Sequence, residues 1–596
     1  MRPATGGNNS PASSAANRRL NLWYAVIIAS TVVFIGQLFY LQIVKHDYYR
    51  QQALAGQLKE YEITAQRGVI KAHENGSSVP LVLNQKLYTL YADPLFVKKP
   101  AEDALKLAAI TSGDAPAYAK LMKTPKSRYV ILAKRLSEEQ KNKILALKLP
   151  GVGTQAQNYR TYPQGSLAAQ LLGFVNDDGK GKYGLEQAMN DELSGQPGTL
   201  KAITDASGVP LAASRANTQI DPQDGRDIEL TIDISMQKQL ETILKAGLER
   251  ARSASGSALI MNPNNGAILA MANYPTYDPA KYFDQRDASI FNNAAVSAPL
   301  EVGSTMKTFT ASAALDLEVI NPDTSYYDPG RWTLDEHDIT NIEEVGGAAT
   351  RTVTEILNRS VNTGATWILM QMGGETGKVN QKARERWHDY MVNHFRFGKP
   401  TGIEQGYEAE GYVPDPLKGY ALQLTYANTA FGQAMTATPL QMAAALSAVI
   451  NGGTYYQPRL VNAITDASGK IIIQKSKIVR QGVVATKVSS QIQSLLEYIV
   501  KSHFKQGASY LKFPEQYVVG GETGTAQIAN PAGGYFENKF NGTYIGFVGG
   551  AKPQYAIVVR VNEPHIGGYA GSRAAQPLFA DLAHMLINNF NITPKS

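Results

Sequence analysis

Three short strings hold residues whose types and spacing suit acyl-transfer chemistry: Ser304-Thr305-Met306-Lys307, Ser360-Val361-Asn362 and Gly521-Glu522-Thr523-Gly524-Thr525-Ala526. A serine hydroxyl is a weak nucleophile at neutral pH and needs a base within hydrogen-bond reach. Ser304 and Lys307 are three apart at the start of a helix-compatible stretch running to Leu315, and positions i and i+3 share a helix face. Lys307 can therefore take the Ser304 proton once burial or neighbours depress its pKa. Gly303 gives the turn freedom to seat the serine at a helix N-terminus, where the helix dipole favours a developing oxyanion.

Spacing alone is weak evidence, because Ser502/Lys505 and Ser509/Lys512 repeat it. Ser360-Val361-Asn362 is the one Ser-x-Asn in the chain. A hydroxyl and an amide placed so can relay a proton and hold a substrate amide, and the same residues also suit a helix cap or turn. Val518 to Ala526 reads as a glycine-rich strand whose bare backbone can approach a ligand and pair with it. Its core pentad, Gly-Gly-Glu-Thr-Gly, recurs at 373–377.

These strings need a frame. Ser257 to Met261 and Gly266 to Met271 are apolar runs joined by an Asn-Pro-Asn-Asn-Gly turn, which predicts a hairpin. Tyr544 to Gly549 and Tyr555 to Val561 repeat the strand pattern, and the residues before Asn588 and those from Met236 to Ala251 have helical periodicity. Strands at both ends with helices between predict one antiparallel sheet covered by helices. Upstream, Leu87 to Tyr91 reads as strand and Ser137 to Leu147 as helix, which predicts an α+β module from Lys45 to about Arg226, closed by the Asp221-Pro222-Gln223-Asp224-Gly225 turn. Trp332 to Glu344 reads as a solvated loop.

Composition removes several classes of function. At 596 residues the chain exceeds the roughly 150 residues of an ordinary domain. A net charge of +7 spread over 58 basic and 51 acidic residues, with no long basic block, argues against nucleic acid as a partner. The absence of cysteine excludes thiolate catalysis, disulfides and Cys-based zinc sites, and the eight histidines lack ligand spacing, so no metal or other cofactor is expected. Leu22 to Val44 carries no charge and is long enough to cross a bilayer. Arg2, Arg18 and Arg19 precede it without any acidic residue, which places the N-terminus in the cytoplasm. Residues 1–19, rich in Ser, Ala, Asn and Gly, read as a disordered cytoplasmic tail.

Order and surroundings lift the three strings above chance. Leu300-Glu301-Val302-Gly303-Ser304 resembles the Glu-Pro-Gly-Ser approach to the nucleophile in class B penicillin-binding proteins. Arg67-Gly68-Val69-Ile70, Tyr91-Ala92-Asp93-Pro94, Arg160-Thr161-Tyr162-Pro163, Tyr183-Gly184-Leu185-Glu186 and Gly195-Gln196-Pro197-Gly198 resemble the boxes of that class's membrane-proximal pedestal. Leu230-Thr231-Ile232-Asp233, Ala270-Met271-Ala272-Asn273-Tyr274-Pro275 and Thr438-Pro439-Leu440-Gln441-Met442 resemble its transpeptidase domain. The resemblance spans about residues 20–590, with division-type, FtsI-like members nearest.

It implies an α+β penicillin-binding transpeptidase fold with an elongated N-terminal pedestal and one transmembrane helix: 1–19 tail, 20–44 anchor, 45–225 pedestal, 226–590 transpeptidase domain. The implied activity is that of a peptidoglycan D,D-transpeptidase of the bacterial cytoplasmic membrane, with its catalytic domain outside, cross-linking stem peptides in septal wall synthesis. Ser304 would form the acyl-enzyme, Lys307 would be the base, and Ser360 and Asn362 the proton relay and substrate holder. Glu522, Thr523, Gly524 and Thr525 would line the substrate site, with the Ser304 and Thr525 N–H groups as oxyanion hole. β-Lactams would acylate Ser304, and a membrane-embedded glycosyltransferase with other division or elongation proteins would be partners, since no glycosyltransferase module is found between 45 and 225.

The chain departs from the family pattern at Glu522, where the family places a lysine, at Val302 for the usual Pro, at Ala434 after Phe431-Gly432-Gln433, and at Lys71 to Gly76. A carboxylate at 522 reverses the local sign, and unit charges about 4 Å apart at an effective dielectric of 20 interact by about 4 kcal/mol. Three accommodations follow: another cation such as Arg573, a protonated Glu522, or a weakened or inactive enzyme kept as a scaffold of the wall machinery.

Overall fold

The computed structural model describes residues 11–203, 218–342, 345–466 and 468–595. Its backbone forms two compact units, one of Met1–Ala65 with Gln196–Gln223, the other of Gln66–Gly195 with Asp224–Ser596.

In the first unit a helix spans Pro11–Phe39 and continues as a wider turn over Tyr40–Val44. Arg18–Val44 is long and apolar enough to cross a membrane, and the protein covers none of it. Residues 11–19 are thus helical rather than disordered, because Pro11 suits a first helical turn and Ala15, Ala16, Arg18 and Arg19 are strong helix formers. Residues 1–10 of the expected tail lie outside the described residues. Leu58–Ile63 and Gly198–Ile203 pair antiparallel, and Thr218–Ile220 adds a third strand.

The second unit holds the predicted antiparallel sheet, in the order Ile268–Tyr274, Ser255–Met261, Pro553–Asn562, Tyr535–Gly549, Val518–Ala529. Side chains alternate between faces with period two. Ala258 and Ile260 pack with Val559 and Tyr544 against Leu244, Leu248, Phe579 and Leu582, so the Ile234–Arg250 and Gln576–Asn589 helices cover that face. Leu259 and Met261 point the other way, with Ile545, Phe547 and Val558, into the core that holds Met306, Phe309, Leu440 and Ala444. Both faces being covered explains why these strands read as continuous apolar runs.

The Pro439–Ile450 helix is buried on every side, and its sequence is apolar apart from Gln441 and Ser447. The Thr438-Pro439-Leu440-Gln441 string starts it: Thr438 Oγ1 accepts the Gln441 N–H at 3.2 Å, and Gln441 Oε1 accepts the Thr438 N–H at 2.9 Å, closing a capping box.

A second sheet runs Ile471–Ile473, Val461–Thr465, Asp227–Asp233, Ile70–Glu74, Ser77–Ala92, Val130–Leu136, with Val152–Thr161 also on Ser77–Ala92. Beside it, three sequence boxes converge on one buried carboxylate. Arg67 Nε donates to Glu186 Oε2 at 2.7 Å, Arg160 Nε donates to Glu186 Oε1 at 2.8 Å, and the Glu186 side chain is wholly buried. Removing one partner of a buried pair leaves the remaining charge uncompensated, so Glu186→Ala is expected to lower unfolding free energy by about 3–5 kcal/mol in urea titrations.

Candidate active site

Ser304 sits in a tight turn, Gly303–Thr305, that feeds the helix Met306–Asp316. Gly303 has φ +61°, and a Cβ there would lie 2.7 Å from the Thr525 carbonyl oxygen. Gly432 approaches from the other side, where a Cβ would lie 2.0 Å from the Gly303 carbonyl. Glycine is required at both because the backbone bearing the serine is clamped between two neighbouring segments.

One helical turn on, Lys307 is 1% exposed, and its Nζ lies 3.0 Å from Ser304 Oγ, 2.9 Å from Ser360 Oγ, 2.8 Å from Asn362 Oδ1 and 2.6 Å from the Ser360 carbonyl. Burial pushes the Lys307 ammonium down to about 7, against an opposing pull from Glu522. The two decoy pairs lie elsewhere: Lys505 and Lys512 are exposed, so neither is desolvated.

Ser360 and Asn362 do stand at a helix start, since Asn362–Gly373 is helical and Ser360 has φ +54°. Their side chains cap nothing there and face Lys307 instead. Arg331–Leu334 and His337–Thr340 form a hairpin, which corrects the solvated loop expected over 332–344; residues 343–344 lie outside the described residues. The hairpin is pinned to the same helix start, as Trp332 Nε1 donates to the Thr363 carbonyl at 3.0 Å and Asn341 Nδ2 donates to Thr363 Oγ1 at 2.8 Å. Its alternating short strands were masked by the Asp335-Glu336 turn, which reads as solvent-facing charge.

The third string lies in Val518–Ala529, the edge strand of the five-stranded sheet. Its unpaired edge is open to hydrogen bonding, and Glu522, Thr523, Thr525 and Gln527 line a groove of about 810 Å³ that also contains Ser304, Ser360 and Asn362. At Gly524 a Cβ would meet Thr543 Oγ1 at 2.2 Å and the Val302 carbonyl at 2.4 Å, so its bareness lets the strand close onto the nucleophile turn. The second Gly-Gly-Glu-Thr-Gly is a turn that ends the Asn362 helix.

Glu522 is 2% exposed. Its Oε1 accepts the Thr523 N–H at 2.9 Å and the Thr523 hydroxyl at 3.2 Å, while Oε2 has no partner. Burial pushes this carboxyl up to about 8 against the pull of Lys307. Arg573, expected as a compensating cation, forms no ion pair with Glu522 and lies instead against Gly568 and Tyr510; the cation bearing on Glu522 is Lys307.

Sequence reasoning missed other parts of the groove wall, among them Ile339 and Thr340 from the hairpin with Phe431, Gln433, His503 and Tyr569. Only Phe431-Gly432-Gln433, flagged for the Ala434 that follows, carried a signal. Ala434 has φ +57°, and its N–H donates to Glu301 Oε1 at 2.9 Å. Because a left-handed L-residue costs about 1–2 kcal/mol and glycine returns part of that as chain entropy, Ala434→Gly is expected to stabilise the fold by about 0.5–1 kcal/mol in urea titrations.

Two family models match this chain: the penicillin binding protein transpeptidase domain over residues 256–584 and the penicillin-binding protein dimerisation domain over residues 62–230. Stage V sporulation protein D of Bacillus subtilis is 31% identical over 584 residues, covering 96% of this chain and 86% of that protein. Peptidoglycan D,D-transpeptidase FtsI of Escherichia coli K12 is 25% identical over 590 residues, covering 97% and 92%. Penicillin Binding Protein 2X of Streptococcus thermophilus superimposes with a TM-score of 0.68 at 22% identity, over 88% of this chain and 79% of the other.

Proposed function

Because the chain belongs to the penicillin-binding protein transpeptidase family, we propose that it is a serine D,D-transpeptidase that cross-links peptidoglycan stem peptides and is acylated by β-lactams at Ser304. The observation that carries this reading is the convergence of Ser304, Ser360 and Asn362 on one buried lysine nitrogen. A buried amine near its titration point at neutral pH is an effective general base.

As the free amine, Lys307 takes the proton of Ser304 Oγ while that oxygen bonds to the carbonyl carbon between two terminal D-alanines. The oxyanion forms against the Ser304 and Thr525 N–H groups. The C–N bond then breaks, and the leaving D-alanine nitrogen receives the proton from Lys307 through the Ser360 hydroxyl. An acceptor amine attacks the acyl-enzyme, yields its proton back along the same path and restores Ser304. Asn362 holds the donor amide, and Thr523 and Thr525 bind its terminal carboxylate.

The exported region is taken as a pedestal over 45–225 and a transpeptidase domain over 226–590. Arginines ahead of the apolar helix support a cytoplasmic N-terminus with the active site outside. A septal role and a membrane-embedded glycosyltransferase partner rest on likeness to division-type members.

A second reading, a scaffold with acylation switched off, is favoured by Glu522 in place of the family's lysine. The test is D-alanine release from a D-Ala-D-Ala-terminated donor given an acceptor amine, in wild type, Ser304→Ala and Glu522→Lys. Release by wild type that vanishes in Ser304→Ala supports the transpeptidase; release by Glu522→Lys alone supports the scaffold.

A further inference from the structure

Glu522 is a carboxyl group sealed in the wall of the reactive groove, with one oxygen satisfied by its own neighbour and the other without a partner. The groups around it are few. Lys307 faces it from the Met306–Asp316 helix, and Tyr544 faces it from the adjacent strand, its hydroxyl also buried. Tyr510 lies behind Tyr544 and donates to Gln576 Oε1 at 3.0 Å. His503 lies on the same groove wall, its Nδ1 3.0 Å from Gln576 Nε2, and Arg573 bears on Tyr510. Among the described residues, the charge that bears on Lys307 is that of Glu522, and the cation that bears on Glu522 is Lys307.

Two buried groups that each lack any other counter-charge behave as one titrating unit. An isolated ionised carboxylate in such a site is costly, so it neutralises instead. With one proton fewer than the pair can hold, the unit is either ammonium with carboxylate or amine with carboxylic acid. Only the second leaves Lys307 able to accept the Ser304 proton, and it also removes the negative charge that would repel a donor carboxylate at Thr523 and Thr525.

On the transpeptidase reading above, we propose that Glu522 is an uncharged carboxylic acid in the acylating enzyme, a positioning group that keeps Lys307 as the free amine, and that its ionisation switches acylation off. Burial acts in this direction on both groups, raising the carboxyl to about 8 and lowering the amine to about 7.

The test uses the full chain in detergent, wild type against Glu522→Gln, which preserves shape and removes the titration. The first readout is infrared: the wild type is expected to show a protonated-carboxyl C=O band at pH 7 that is absent from Glu522→Gln and titrates away at alkaline pH. The second is the pH profile of penicillin acylation. Wild type is expected to rise to a maximum and then fall about tenfold per pH unit as Glu522 ionises. Glu522→Gln should rise over the same pH range, since a neutral amide replaces an acid that is uncharged through that rise, and then remain level. A missing band at pH 7, or an alkaline limb retained by Glu522→Gln, overturns the proposal. The band reads Glu522 whether or not Ser304 reacts. A missing band therefore overturns this proposal alone, whereas absence of acylation in both proteins at every pH overturns the transpeptidase reading and this inference with it.

Discussion

Lys307→Met is expected to lower the second-order rate of Ser304 acylation by about 10³- to 10⁴-fold, the upper range for loss of a positioned general base. Methionine keeps the unbranched chain but ends one atom short, where the amine stood, and suits the buried setting, so the change removes the amine while the helix stays packed. Lys307→Arg separates charge from basicity. A guanidinium keeps the positive charge and can still donate to Ser360 and Asn362, yet it does not deprotonate in proteins and cannot take the Ser304 proton. Both variants should therefore be equally slow with a fluorescent penicillin. Recovery of the rate in Lys307→Arg would mean that Lys307 acts as a fixed charge and that Ser304 loses its proton elsewhere.

Gly524→Ala is the second large effect, and it reaches the chemistry through the backbone. The new methyl would stand 2.4 Å from the Val302 carbonyl and 2.2 Å from Thr543 Oγ1, and Thr543 is itself fixed by donating to that same carbonyl at 2.8 Å. The edge strand must then move away from the Gly303–Thr305 turn, separating the Thr525 N–H from the serine. A displacement of about 1 Å can cost about 10² in rate, and overpacking typically costs about 1–3 kcal/mol of stability. Acylation about a hundredfold slower with a lower urea midpoint is expected. Gly567→Ala, where a Cβ meets nothing within 4 Å, is the control and should change neither.

Much of the frame was legible because it is built from local rules. Apolar runs at 257–261 and 555–561 marked strands, which the fold covers on both faces, and helical periodicity from 236 to 251 marked the helix that Asp233 caps by accepting the Met236 N–H at 2.8 Å. The pedestal boxes were visible as strings, but their shared purpose was not. Only the fold brings Arg67, Arg160 and Glu186 to one point across long sequence separations.

The reactive set was legible for the same reason in part. Ser304 and Lys307 are neighbours on one helical turn, so spacing places them together, whereas Ser360 and Asn362 meet Lys307 through packing that no local pattern encodes. The Trp332–Glu344 reading failed because a short hairpin with charged outward residues has the composition of a loop; what makes it structure is its anchoring at Thr363. Glu522 was visible as a departure, but its partner was not, since burial beside Lys307 rather than beside Arg573 is a property of the folded groove.

The most direct test of the central claim is mass mapping of the full chain after reaction with benzylpenicillin. A single covalent adduct on the peptide containing Ser304, absent from Ser304→Ala and formed far more slowly in Lys307→Met, is the predicted result. An adduct on another residue, or one that survives in Ser304→Ala, would contradict the assignment of Ser304 as the nucleophile.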